Sequence, residues 1–262
     1  MTLMMEDKFK DPWFFPIRQM NPKAQLVLFL FHYSGGSASQ FRYWSKELSD
    51  LINPVGIQLP GRENRFKDSL FFHSIDVVEA LIKVFPKDLD KPFVLFGHSM
   101  GAALAFEFAR ILEKNNYSGL RHLIVSGRGA PHLPPGNKKL YNLPKKEFIQ
   151  ELLKYNGLPE AVFESEELLD LFIPIIQADF TISDNYQYFS TVPLSCPITA
   201  FGGIDDSYAS HDKMKEWKTH TNSHFNIHMF DGDHFFLIKE SSALVVNQLN
   251  QIAENIVKAT NP

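Results

Sequence analysis

The sequence predicts an α/β fold, a mostly parallel sheet with helices on both faces. Short, nearly unbroken apolar runs recur at AQLVLFLF (24–31), PVGIQL (54–59), FVLF (93–96) and LIVS (123–126). Runs of that length and continuity suit strands covered on both sides. Amphipathic segments separate them, so that strand and helix alternate, which is the pattern of a parallel sheet. The third observation is FVLFGHSMGAALAFEFAR (93–110), in which a Gly-x-Ser-x-Gly turn joins a strand to a helix.

Composition supports this class and excludes others. A chain of 262 residues with 44% hydrophobic content and 24 Phe can bury a large core. No internal repeat, low-complexity tract or Pro/Gly/Ser linker divides it, so residues 1–262 are expected to form one domain. A net charge of −4 without a basic run argues against nucleic-acid binding. The single cysteine, Cys196, cannot form an internal disulfide, which suits a reducing cytosol. MTLMMEDKFKDPWFF carries acidic residues and a proline where a signal peptide needs an apolar core. No window approaches ~20 apolar residues, so no membrane span is expected. The expectation is a soluble, cytoplasmic protein.

In chain order, the strand at 24–31 runs into His32-Tyr33-Ser34-Gly35-Gly36-Ser37-Ala38, a turn of small residues whose backbone a ligand could approach closely. Phe41, Trp44 and Leu48 have helical spacing over 41–51. The strand at 54–59 ends in Pro60-Gly61-Arg62-Glu63-Asn64-Arg65, where the two arginines could form local salt bridges. A helix over 77–85 leads to the strand at 93–96, the Ser99 turn and the helix at 102–110. The strand at 123–126 ends in Gly127-Arg128-Gly129-Ala130-Pro131. From 133 to 188 strands vanish, and helices are predicted over 145–155 and 166–178, the second capped by Ser165. Phe148, Leu152, Leu169, Phe172 and Ile176 form their apolar stripes. A helical insertion between late strands reads as a lid over a site, and Phe172 and Ile176, one turn apart, are placed to line a channel beneath it. A strand at 197–201 ends in Gly202-Gly203-Ile204-Asp205-Asp206, and a short helix follows at 214–219. The alternating strand at 225–230 reads as half exposed near the sheet edge and ends in Asp231-Gly232-Asp233-His234. An amphipathic helix over 242–257 closes the chain.

The strand ends carry the chemistry, because sites in parallel sheets lie at the carboxyl ends of the strands. Ser99 in a sharp strand–helix turn is the pattern of a nucleophilic serine. Gly97 and Gly101 remove Cβ atoms that would collide, and the Met100 amide lies at a helix N-terminus, where it can donate to an oxyanion. A base and an orienting carboxylate must follow. Of the histidines, His98 adjoins Ser99 but should point away, while His211, His220, His224 and His228 read as solvated. His234, after the last strand and before Phe235-Phe236-Leu237, is the base. The carboxylate lies in Asp205-Asp206. Asp206, three residues after Gly203, is preferred, and Asp231 and Asp233 are left to hold the His234 loop. No zinc-type spacing of His and acidic residues is present, so no metal or cofactor is expected.

Segments along nearly the whole chain resemble the type II thioesterases, discrete α/β-hydrolases that accompany nonribosomal peptide and polyketide synthases. They are LFLFHYSGGSASQFRYW, IQLPGRENR, VLFGHSMGAALAFEFAR, LIVSGRGAP, IPIIQADF, LSCPITAFGGIDD and FDGDHFFL. The chain is also similar to the medium-chain acyl thioesterase of animal fatty-acid synthesis. The resemblance implies a Ser99–His234–Asp206 triad, backbone amides of Ser34 and Met100 as oxyanion hole, and a lid at about 133–188 over the acyl chain. It implies hydrolysis of acyl thioesters on the phosphopantetheine arm of a carrier protein, clearing aberrant acyl groups. The alternatives are release of free medium-chain acid, general carboxylester hydrolysis and a non-catalytic binding module. The implied partner is an acyl or peptidyl carrier protein, with small acyl thioesters as further substrates, for a monomeric enzyme without cofactor. Arg62, Arg65 and Arg128 are the candidates for carrier docking. Two departures bear on acyl or partner specificity. His32-Tyr33-Ser34-Gly35-Gly36 stands where the family has Pro-aromatic-Ala-Gly-Gly, and Gln177 stands where it has Arg.

Overall fold

The computed structural model describes residues 5–134, 139–155, 165–190, 192–239 and 241–260. Seven strands form one sheet in the order β1-β3-β2-β4-β5-β6-β7. They are β1 (Phe14–Pro16), β2 (Leu26–Phe31), β3 (Ile52–Ile57), β4 (Phe93–His98), β5 (Leu120–Ser126), β6 (Ile198–Gly203) and β7 (Phe225–Phe230). Only β1 runs antiparallel to its neighbour. Among the described residues the α-helices are α1 (Ser74–Val84), α2 (Met100–Lys114), α3 (Lys145–Tyr155), α4 (Glu166–Asp184), α5 (His211–Lys215) and α6 (Ser242–Thr260).

Alternation along the central strands divides the core in two. Val27, Phe29 and Phe31 of β2 face a cluster with Val77 and Leu81 of α1 and with Leu104 and Phe108 of α2. Leu26, Leu28 and Leu30 face the opposite cluster, with Phe41, Trp44 and, from α6, Val245 and Leu249. A period of two on a strand buried on both sides produces this division. β7 lies at the sheet edge, and most of its residues are only half buried. Between β5 and β6 the described residues contain α3, α4 and a 3₁₀ turn, but no strand of the sheet. Their apolar faces form a third, separate cluster around Phe148, Leu152, Ile173, Ile176 and Phe180.

Several elements differ from the sequence reading. The segment expected as a helix over 41–51 is 3₁₀ over Ala38–Lys46. Arg18 braces its end, because its guanidinium donates to the carbonyls of Ser45, Leu48, Ser49 and Ile52 where the chain turns into β3. The strand β1 is only three residues long and ends in a proline at the sheet edge, too short for a periodic signal. α4 continues past 178 to Asp184, and the Ser165 hydroxyl accepts the Leu168 amide at its start. Among the described residues, no helix is long and apolar enough to cross a membrane.

Candidate active site

Ser99 caps α2 with φ 56° and ψ −115°, in the left-handed half of dihedral space that non-glycine residues rarely occupy. Its N–H donates to Ser126 O at 2.8 Å, tying the turn to β5. The flanking glycines are required sterically. A methyl group at Gly97 would lie 2.1 Å from Gly101 O, and one at Gly101 would lie 2.3 Å from Phe31 O. The turn is therefore wedged between its own helix and the end of β2.

The loops after β6 and β7 meet beside it. His234 Nδ1 lies 2.7 Å from Asp206 Oδ2, and the other carboxylate oxygen accepts the amides of Tyr208 and Ala209 at 2.8 and 3.1 Å. Burial alone would raise the Asp206 pKa. The hydrogen bond and charge of His234, together with the two amides, outweigh it and hold the carboxyl below its ordinary value. An ionised carboxylate can only accept, so Nδ1 donates to Asp206 and Nε2 is the ring nitrogen left for proton transfer. Asp206 is 4% exposed, whereas Asp205 faces solvent and uses its backbone N–H to bind Gly232 O. Asp233 holds the histidine loop by accepting the Phe235 amide and Lys239 Nζ, and Asp231 O accepts the Ser241 hydroxyl.

His98 packs beneath His234 with ring centroids 4.9 Å apart, and its Nδ1 lies 2.9 Å from Ser126 Oγ. Complete burial, then the neighbouring His234, drives its pKa well below the imidazole range, so it is a neutral packing group outside the cavity wall. His211 and His224 are exposed and His228 is half buried, but the reading of His220 as solvated is corrected. It is 4% exposed, packed against Trp217 and Tyr188, with Nε2 2.7 Å from His132 Nδ1. Its partner is 88 residues away, beyond the reach of a local reading.

Ser99, His234 and Ser34 line one cavity of about 400 Å³. Leu152 of α3 and Ile176, Phe180, Ser183 and Asp184 of α4 form its opposite wall. The α4 contributions fall at i, i+4, i+7 and i+8, one face of a helix. Phe172, one turn earlier, is not in this wall. It packs against the α3–α4 cluster instead, because the stripe passes beyond the end of the cavity there.

Two of the arginines expected at a docking surface are buried and paired within the fold, and the third lies in the cavity wall. Arg62 is 6% exposed and makes a two-pronged pair with Asp179 of α4, at 2.7 and 2.8 Å. Arg65 is also buried, donates to Gln58 O and Asp68, and stacks over Trp13 at 4.3 Å. Arg128 is half buried in the cavity wall and donates to the Ser183 hydroxyl. None of the three presents a free guanidinium on an outer surface. Asp179, 1% exposed, is the residue the sequence reading missed. Its local sequence signal is an acid set among Ile175, Ile176, Ala178 and Phe180. Among the described residues, no group of three or more His, Cys, Asp or Glu side chains could hold a metal ion.

A parallel sheet with a serine held in a strained strand–helix turn is the architecture of an α/β hydrolase. The chain belongs to the thioesterase domain family, whose model matches residues 27–258. It is 41% identical over 230 residues to the linear gramicidin dehydrogenase LgrE of Brevibacillus parabrevis, covering 87% of this chain and 88% of that one. It is 37% identical to the gramicidin S biosynthesis protein GrsT of Aneurinibacillus migulanus, covering 89% and 91%. Among solved structures it resembles the type II thioesterase BorB from the borrelidin biosynthetic cluster, with TM-score 0.84 and 31% identity over 93% of this chain and 98% of that one. The protein is a thioester-hydrolysing enzyme of the type II thioesterase kind.

Proposed function

We propose that the enzyme removes acyl groups from the phosphopantetheine arm of carrier proteins in a peptide or polyketide assembly line, through an acyl-enzyme on Ser99. His234 Nε2 takes the Ser99 Oγ proton as Oγ attacks the thioester carbonyl. The Ser34 and Met100 amides receive the oxyanion, Asp206 stabilises the imidazolium, and the thiol leaves with the proton from His234. Water then repeats the sequence with His234 as base, and the free acid departs. Every step uses the chain's own residues, so no cofactor is needed.

The observation that carries this reading is His234, held by Asp206, lining the same cavity as Ser99. The α3–α4 segment acts as a lid over the acyl group, within one domain spanning the chain. The enzyme works as a cytoplasmic monomer alongside its synthase. The name of one relative points to dehydrogenation, but this chain has no Gly-x-Gly-x-x-Gly fingerprint, and its turn after β4 is built around a serine. The apolar cavity wall of Leu152, Ile176 and Phe180 favours a second reading, release of medium-chain acid.

One experiment separates them. Identical acyl groups are presented on holo carrier protein, coenzyme A and N-acetylcysteamine, to the wild type and to Ser99→Ala. Editing predicts higher kcat/KM on the carrier, a pre-steady-state burst in the wild type, and loss of turnover on the order of 10⁴-fold or more in the variant. Equal rates on carrier and coenzyme A, with a sharp optimum at medium chain length, would replace editing by acid release. A variant with a tenth of the wild-type rate would remove Ser99 from its role.

A further inference from the structure

The Ser34 N–H must be aimed to act as an oxyanion donor, and the turn that carries it is held by side chains from three directions. A trans peptide is planar, so the Tyr33 carbonyl and the Ser34 N–H move as one rigid unit. The carbonyl end of that unit is pinned. Tyr33 O accepts the Gly36 N–H at 2.9 Å and lies 2.8 Å from His32 Nδ1, which must donate to it. The next peptide is pinned through its own N–H, because Gly35 N donates to Asp179 Oδ2 at 2.8 Å. Gly36 O, in turn, accepts from Arg62 at 3.0 Å.

Asp179 and Arg62 therefore do more than neutralise each other. Their two-pronged pair is buried, with side chains 2% and 7% exposed. A buried ion pair adds little net stability compared with apolar packing of the same volume, so its directionality is the feature that packing could not reproduce. Asp179 Oδ2 accepts from Arg62 and from Gly35 at once, so the guanidinium fixes the oxygen that the Gly35 amide meets. Asp179 also belongs to α4, three residues after Ile176 and one before Phe180, both in the cavity wall. A shift of α4 thus carries the Gly35 amide with it.

We propose that Asp179 and Arg62 are positioning residues that aim the Ser34 N–H and couple its aim to the placement of α4 over the acyl group. This rests on Ser34 supplying an oxyanion donor to a Ser99 nucleophile. The pair touches neither substrate nor the reacting atoms, and acts through the turn.

The test uses Asp179→Ala, Asp179→Asn, Arg62→Met and Arg62→Lys in the full-length enzyme. It measures kcat and KM with an acyl-N-acetylcysteamine at 15 °C, thermal melting, and the rate of fluorophosphonate labelling of Ser99. The phosphonyl oxygen occupies the same donors as the tetrahedral oxyanion, so labelling reports on them without turnover. Mis-aiming one donor should cost on the order of 10²-fold in both kcat and labelling rate, with KM within about threefold. Arg62→Lys, which keeps a cation for Asp179, should recover at least about tenfold of the Arg62→Met loss. If Asp179→Ala or Arg62→Met does not fold, Asp179→Asn and Arg62→Lys decide by the same split. Variants that melt lower yet keep wild-type kcat and labelling at 15 °C overturn the proposal and leave a purely structural pair. If the wild type itself takes no label on Ser99, the nucleophile reading fails first, a result distinct from failure of the positioning role alone.

Discussion

Asp206→Asn removes one charge and almost no volume, and the surrounding donors decide what the new amide does. The Tyr208 and Ala209 N–H groups point at one carboxylate oxygen, at 2.8 and 3.1 Å. Both are donors, so the asparagine must keep its oxygen there and turn its NH₂ towards His234. That NH₂ then meets Nδ1 across the 2.7 Å gap the carboxylate now spans. Two N–H groups cannot face each other, so the imidazole moves its proton to Nε2 and presents Ser99 with a donor instead of a base. The expected loss is on the order of 10⁴-fold in kcat, equivalent to about 5 kcal/mol of transition-state stabilisation, with KM little changed. Asp205→Asn is the control. Its side chain faces solvent and only its backbone amide is engaged, so kcat should stay within about threefold. Thiol release from an acyl-N-acetylcysteamine, followed at pH 6–9 for both variants, provides the measurement. An Asp206→Asn enzyme with more than a tenth of wild-type kcat, or equal losses at both positions, would refute the tautomer argument.

Gly101→Ala places a methyl group 2.3 Å from Phe31 O and 2.6 Å from His32 O, both backbone atoms, so it should destabilise by about 1–3 kcal/mol or more and lower kcat as the turn shifts. A wild-type melting temperature would contradict the packing of α2 against β2. Ile176→Ala should enlarge the cavity and shift kcat/KM towards bulkier acyl thioesters, while Phe172→Ala should cost stability without changing the acyl profile. Matching profiles for the two variants would remove α4 from specificity. Asp206 has a depressed folded pKa, so its contribution to stability is complete above its unfolded value of about 3.9 and is lost as pH falls through the folded value. Melting temperature between pH 3 and 6 should therefore fall less steeply for Asp206→Asn than for the wild type.

The sheet was legible because its strands are apolar on both faces, and a six-residue run such as LVLFLF has few other uses. The Ser99 turn was legible for a steric reason, since only glycine fits at 97 and 101. What could not be read locally was pairing at a distance. Arg62 in a charged loop looks solvated until α4 brings Asp179 to it from 117 residues away. The same holds for His220 and His132. Within Asp205-Asp206 the sequence offers two chemically identical side chains, and only the direction of the chain after Gly203 decides which enters the protein. The lid helices were visible as apolar stripes, but a stripe does not mark where a cavity stops, which is why Ile176 lines it and Phe172 does not.

The division of the core clarifies how chemistry and specificity are related in this chain. The loops bearing Ser99 and Asp206 spring from strands locked between the two large clusters, the His234 loop follows the edge strand β7, and the residues of α3 belong to neither cluster. The cavity's opposite wall belongs to a third cluster, so substitutions there can reshape the acyl site without loosening the sheet. α4 joins both regimes. Ile173, Ile176 and Phe180 pack in the third cluster, Ile182 packs in the first, and Asp179 between them reaches Arg62 and the Gly35 amide. Breaking that pair from one side strands a buried charge, at a cost of about 3–5 kcal/mol. Specificity is therefore free to drift along the α3 face and the outer turns of α4, but not at the one position where the helix is tied to the turn that carries Ser34.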